Sequence, residues 1–200
     1  MSSSNQGGRS TYRSTLAFAL AMSLAMLGMT AQAAFADPPP TFEIGGLYSV
    51  HHNDAGTFPI GWLFAAGGNL TAGRTGEDRV MDLLLVGEIG GAYKTVGTYS
   101  DETIREHTFL GGVKLAGAAA KSATPFVQVL SGVGNIGVGS GAESFSTNAF
   151  AFQTGGGVDV RIGARAALRV QGDYRLLRKE GHNLNEFRFA AGVVFGFGNR

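Results

Sequence analysis

His51-His52-Asn53-Asp54 is the one stretch of the chain where imidazoles and a carboxylate stand side by side. Two imidazoles and a carboxylate can hold a divalent cation, and an imidazole can activate a neighbouring hydroxyl as a nucleophile. No Ser follows His52, however, and no Ser-His-Asp spacing, HExxH pair or phosphate-cradling glycine loop occurs elsewhere. The plainer expectation is that His51, His52 and Asp54 form the polar rim of a loop, with no catalytic residue, no metal and no cofactor.

A second set of ionisable residues is spread along the chain. Glu43, Asp82, Glu88, Asp159 and Asp173 alternate with apolar neighbours, and so do Lys94, Lys114, Arg161, Arg169, Arg175 and Arg188. In a strand, such alternation puts every charge on one face. That face is otherwise built largely of Gly, Ala and Ser, which suits a narrow enclosed interior. Isolated charges there would be costly, so the near balance of signs implies pairing. Arg169 and Asp173 share a face of one strand, and Asp159 and Arg161 can meet them from the strand before, giving a cross-strand ladder. A channel's selectivity ring would normally show one sign. The charges therefore read as structural filling, and the alternative is a gated ion path.

The elements that must position these residues follow from a period of two. It is plainest in residues 186–197, where Phe187, Phe189, Ala191, Val193, Phe195 and Phe197 fall on one parity and Arg188, Ala190, Gly192, Val194 and Gly196 on the other. Further strands are expected over residues 42–51, 60–69, 81–94, around 108–115, over 126–135 and 150–162, and through Leu168, Val170, Tyr174 and Leu176. Two middles lack a clear polar side: Leu84 and Val86 share a parity with the third strand's charges, and Val127, Val129 and Val133 oppose Phe126 and Leu130. Polar segments 52–57, 96–105, 137–147 and 179–185 read as loops at one end, and 71–78, 117–124 and 163–165 as turns at the other. The glycines Gly155 to Gly157 lie inside a strand and are expected to serve close packing or curvature. The count is about eight strands in a meander, an all-β, eight-stranded antiparallel up-and-down transmembrane β-barrel. Trp62, Phe64, Tyr93, Phe109, Phe150, Phe152, Tyr174, Phe187 and Phe189 would belt one interface, and Phe42, Phe195 and Phe197 the other.

Residues 1–36 read as a secretory signal peptide. Arg9 and Arg13 supply its positive start, residues 16–29 its apolar core, and cleavage falls after Ala33 or Ala36. Residues 37–41 form a stiff Pro-rich lead-in, and 42–200 the barrel domain. With no Cys, the chain has no disulfide framework and no lipoprotein anchor. Charged residues are only 16% of the chain, yet no apolar run after residue 36 reaches the roughly 18 to 20 residues of a spanning helix. A net charge of +1 from scattered basic residues argues against nucleic acid as a partner.

On these features the chain resembles the small outer-membrane β-barrel family, the OmpA/OmpX-like eight-stranded proteins. The resemblance covers roughly residues 42 to 198 and is closest in Gly155-Gly156-Gly157-Val158-Asp159-Val160-Arg161, in Leu168-Arg169-Val170-Gln171-Gly172-Asp173-Tyr174 and in the last strand. Gly192, Phe195 and Phe197 resemble the C-terminal assembly signal of bacterial outer-membrane proteins, although Gly198-Asn199-Arg200 trails the final aromatic. The resemblance implies a bacterial outer-membrane location, membrane lipid as the main partner and the barrel-assembly machinery during insertion. It implies a structural or surface-interaction protein with a side-chain-filled lumen, not an enzyme. Two alternatives stay open: a small ion- or ligand-conducting barrel, and a lipid-modifying enzyme.

Overall fold

The computed structural model describes residues 40–53, 56–72, 81–96, 102–117, 122–140, 143–179 and 182–198. The expected leader with its two alternative cleavage positions, most of the expected lead-in, Asp54 and Asn199-Arg200 lie outside the described residues.

Eight strands follow one another: β1 (Phe42–Asn53), β2 (Gly56–Asn69), β3 (Met81–Val96), β4 (Glu102–Gly117), β5 (Ala123–Ser140), β6 (Glu143–Arg161), β7 (Ala166–Lys179) and β8 (His182–Phe197). Each pairs antiparallel with the next, and β1 pairs with β8 from Phe42↔Phe197 to Asn53↔Glu186, so the sheet closes on itself. Closure leaves no strand edge exposed, which a sheet surrounded by hydrocarbon requires. Among the described residues no helix is long and apolar enough to cross a membrane.

The four segments expected as loops are largely strand. β1 and β2 stay paired up to Asn53↔Gly56, β3 and β4 up to Val96↔Glu102, β5 and β6 up to Ser140↔Glu143, and β7 and β8 up to Lys179↔His182. Alternation of hydropathy reports a strand only where one face meets an apolar medium. Past that level both faces can be polar while the hydrogen-bond ladder continues.

Parity is otherwise as the sequence indicates. Phe42, Tyr48, Trp62, Phe64, Phe109, Phe150, Phe189, Phe195 and Phe197 all face outward and are exposed. At the end where β1 begins and β8 finishes, which is the terminal end of the barrel, Phe42 lies opposite Phe197 and Ile44 opposite Phe195. Toward the other end the polar tips of the rings find partners: Trp62 Nε1 donates to Tyr93 Oη at 3.3 Å, Tyr93 Oη lies 3.1 Å from His107 Nε2, and Tyr174 Oη donates to Asn185 at 2.7 Å. Rings with an apolar body and a satisfied polar tip suit a water-to-hydrocarbon boundary.

The interior is not uniformly polar. Leu84, Val86, Phe126 and Leu130 all point inward and pack with Leu110, Ala116, Ala149, Ala151 and Leu177 into an apolar sector spanning β3 to β7. That placement resolves the two ambiguous middles: β3 and β5 are apolar on both faces because one faces outward and the other packs this sector. A smaller cluster of Leu47, Leu63 and Ala190 lies on β1, β2 and β8. The charges occupy the rest of the lumen.

Two glycines show how closely the wall packs. A Cβ on Gly155 would sit 2.1 Å from Asp173 Oδ1 and 2.6 Å from Gly172 O, and one on Gly192 would sit 2.2 Å from Gly46 O. Gly155 and Gly157 thus permit close approach of β6 to β7, and Gly192 does the same where β8 closes onto β1.

A buried charge network as candidate functional site

Glu43 on β1, Lys114 on β4, Asp159 on β6 and Arg169 on β7 converge near the end that carries the termini. Lys114 Nζ donates to Glu43 Oε1, and Arg169 Nη2 donates to the same oxygen at 3.1 Å. Arg169 grips Asp159 with two bonds of 2.7 Å, from Nε and Nη2. Both cations also lie over the ring of Phe126, at 5.1 Å for Lys114 and 4.7 Å for Arg169. Two acids and two bases, hydrogen-bonded together and roofed by an aromatic face, offset most of the cost of burying charge.

Further along the lumen lies a larger cluster. Arg188 on β8 donates to both oxygens of Glu88 on β3, at 2.6 and 3.1 Å, and through Nη2 to Asp173 Oδ2 at 2.6 Å. Gln128 and Gln171 complete Asp173, at 3.1 and 3.0 Å. Arg175 Nη1 donates to Glu106 Oε1 at 2.8 Å, and Gln153 links the two halves by accepting from Arg175 Nε at 3.0 Å while donating to Glu88 at 3.3 Å. His51 Nδ1 meets Glu186 Oε1, and its Nε2 lies 3.0 Å from Ser49 Oγ.

Of the charges read from sequence, Glu43, Glu88, Lys114, Asp159, Arg169, Asp173, Arg175 and Arg188 meet in these two clusters. Asp82 sits apart, near the terminal end, accepting from Thr71 Oγ1 at 3.0 Å. Lys94 lies 5.5 Å over the Phe58 ring toward the opposite end. Arg161 does not join a ladder with Asp173. It is the last residue of β6 and exposed, and Asp173 takes Arg188 from β8 as its partner. His51 and His52 do not belong to one centre, because consecutive residues of a strand face opposite sides. His51 is buried in the lumen, whereas His52 is exposed beside Thr57.

The interior charge set read from sequence left out Glu106 and Glu186, and assigned no role to Ser49, Gln128, Gln153 and Gln171. Glu186 shares a parity with Arg188, and Ser49 with Glu43, so strand alternation alone could have found both. Glu106 abuts a segment read as a loop. Ser49, His51 and Glu186 have the connectivity of a hydrolase triad, hydroxyl to imidazole to carboxylate. His51, Glu106 and Glu186 also offer ligand atoms within 4.8 Å of one another.

A closed antiparallel barrel of eight strands, with apolar side chains outward and paired charges inward, has the fold of the small eight-stranded outer-membrane barrels. Among solved structures it is similar to Neisserial surface protein A, at 11% identity and a TM-score of 0.55, covering 78% of this chain and 96% of that one. It is also similar to the N-terminal β-barrel domain of Pseudomonas aeruginosa OprF, at 13% identity and a TM-score of 0.50, covering 78% of this chain and 97% of that one. At these identities the likeness is one of fold. No family model matches the chain, and no curated protein matches its sequence.

Proposed function

We propose that this is a bacterial outer-membrane protein of structural or surface-interaction type, exported by a signal peptide over residues 1–36 and inserted as a barrel with a side-chain-filled lumen. One observation carries the reading. Among the described strand residues, the only Asp, Glu, Lys or Arg side chains on the outward parity are Arg105 and Arg178, both near the end away from the termini. A charge facing hydrocarbon costs roughly 2 to 4 kcal/mol for Arg or Lys at the bilayer midplane, whereas a sheet facing water would carry Lys and Glu throughout. Gly192, Phe195 and Phe197 would be read by the assembly machinery, Phe195 and Phe197 from their exposed positions on β8. The test is electrophoresis of the membrane fraction with and without boiling. A folded form that migrates anomalously until heated supports the reading, and a chain found in the soluble periplasmic fraction overturns it.

The chain of Ser49, His51 and Glu186 favours a second reading, a serine hydrolase. Against it, Ser49 is 0% exposed, so its oxygen has no route to an acyl carbon. Covalent labelling of Ser49 by a fluorophosphonate would establish the hydrolase in place of the first reading.

A further inference from the structure

We propose that His51, Glu106 and Glu186 bind one divalent transition-metal cation inside the barrel. The inference rests on the interior geometry alone and holds whatever the surface of the protein does.

The donor set comes first. β1, β4 and β8 each contribute one side chain, all three are buried, and their ligand atoms lie within 4.8 Å of one another. One imidazole with two carboxylates suits first-row divalent ions such as zinc, manganese or cobalt, which take these donors at roughly 2.0 to 2.2 Å. Ser49 supplies the outer support such a ligand needs: its Oγ, 3.0 Å from His51 Nε2, can accept a hydrogen bond from the Nε2–H and leave the Nδ1 lone pair, on the Glu186 side, free to ligate the metal.

The second observation is an orphaned atom. Glu186 is fully buried, yet its Oε2 accepts no hydrogen bond, and the Arg175 nitrogen beside it is 3.7 Å away. A buried carboxylate oxygen without a partner is expensive.

The third is charge. The cluster near the termini is neutral, with Glu43 and Asp159 against Lys114 and Arg169. In the central cluster four carboxylates, Glu88, Glu106, Asp173 and Glu186, face only two guanidiniums, Arg175 and Arg188. An excess of two buried negative charges matches one divalent cation.

The full chain, refolded in detergent after chelation of metals, is titrated with cobalt(II) while its visible absorption is followed, then with zinc in competition. One cobalt per chain with a nitrogen and oxygen ligand spectrum, displaced by zinc, is expected. Glu186→Gln and Glu106→Gln keep side-chain shape, and each should weaken binding by about tenfold or more. A His52→Ala, His107→Ala variant, lacking two imidazoles outside the site, should bind as the parent does. No cobalt or zinc uptake by the folded parent would overturn the proposal, since protons would then supply the missing charge. Equal affinity in both glutamine variants would overturn it as well, as binding by surface imidazoles only. If one glutamine variant does not refold, the other and the parent titration decide. Failure here leaves the outer-membrane reading standing, because folding in detergent is scored separately by heat-dependent migration.

Discussion

Arg188 and Glu88 face one another across the barrel, one on β8 and the other on β3, with two bonds of 2.6 and 3.1 Å between guanidinium and carboxylate. β1 and β2 lie between them in the wall. The pair therefore braces the lumen rather than one hairpin. Removing Arg188 leaves Asp173 without its cation and Glu88 with only Arg175, 3.9 Å away, so Arg188→Met should destabilise the barrel by about 3 to 5 kcal/mol. Urea unfolding in lipid vesicles, followed by the fluorescence of Trp62, the single tryptophan, measures it.

Replacing Phe195 and Phe197 together by Asp should leave export intact and block insertion. Both rings face outward at the end carrying the termini, where the change would place two charges on the lipid-facing belt. Normal outer-membrane levels of that double variant would refute the assembly role.

The refolded protein should show no large, steady openings in planar bilayers. An interior of about eight strands is just filled by side chains, and Arg169, Arg175, Lys114 and Phe126 are among the fully buried ones here. Stable conductance without mutation would establish the channel reading instead.

Gly155→Val should lower stability by about 1 to 3 kcal/mol, because the new Cβ collides with Asp173 and with Gly172 O. Gly87→Ala is the control. A Cβ there meets nothing within 4 Å, and the change should stay within about 0.5 kcal/mol. Equal effects at both positions would refute the close-approach role.

An epitope inserted between Ser140 and Glu143 should be labelled on intact cells. Those residues end the longest hairpin, at the end opposite the termini. Labelling only after the outer membrane is broken would reverse the orientation.

The barrel was legible where a strand has one apolar and one mixed face. In β7 the order Leu168, Arg169, Val170, Gln171 shows which side is in before any contact is known, and the buried state of Arg169 and Gln171 agrees. In β5 the parity of Phe126 and Leu130 against Val129 and Val133 carries no such information, because both faces are apolar. The Arg169 and Asp159 pair was readable, since adjacent strands in a meander fix it to a neighbour. The bond from Arg188 to Glu88 was not, because strand pairing says little about which long side chains meet across a lumen. His51 finds Glu186 only once β1 closes against β8.

That dependence on closure has a kinetic consequence. The bonds from Lys114 to Glu43, Glu88 to Arg188 and His51 to Glu186 join residues 71, 100 and 135 positions apart. A lone β1–β2 hairpin entering the bilayer would carry Glu43, and a lone β3–β4 hairpin Glu88, without these partners into hydrocarbon, at a cost of several kcal/mol per strand pair. Early crossings are thereby penalised and late ones rewarded, so insertion should proceed as a single concerted event, with curling of the sheet and passage through the membrane inseparable in time.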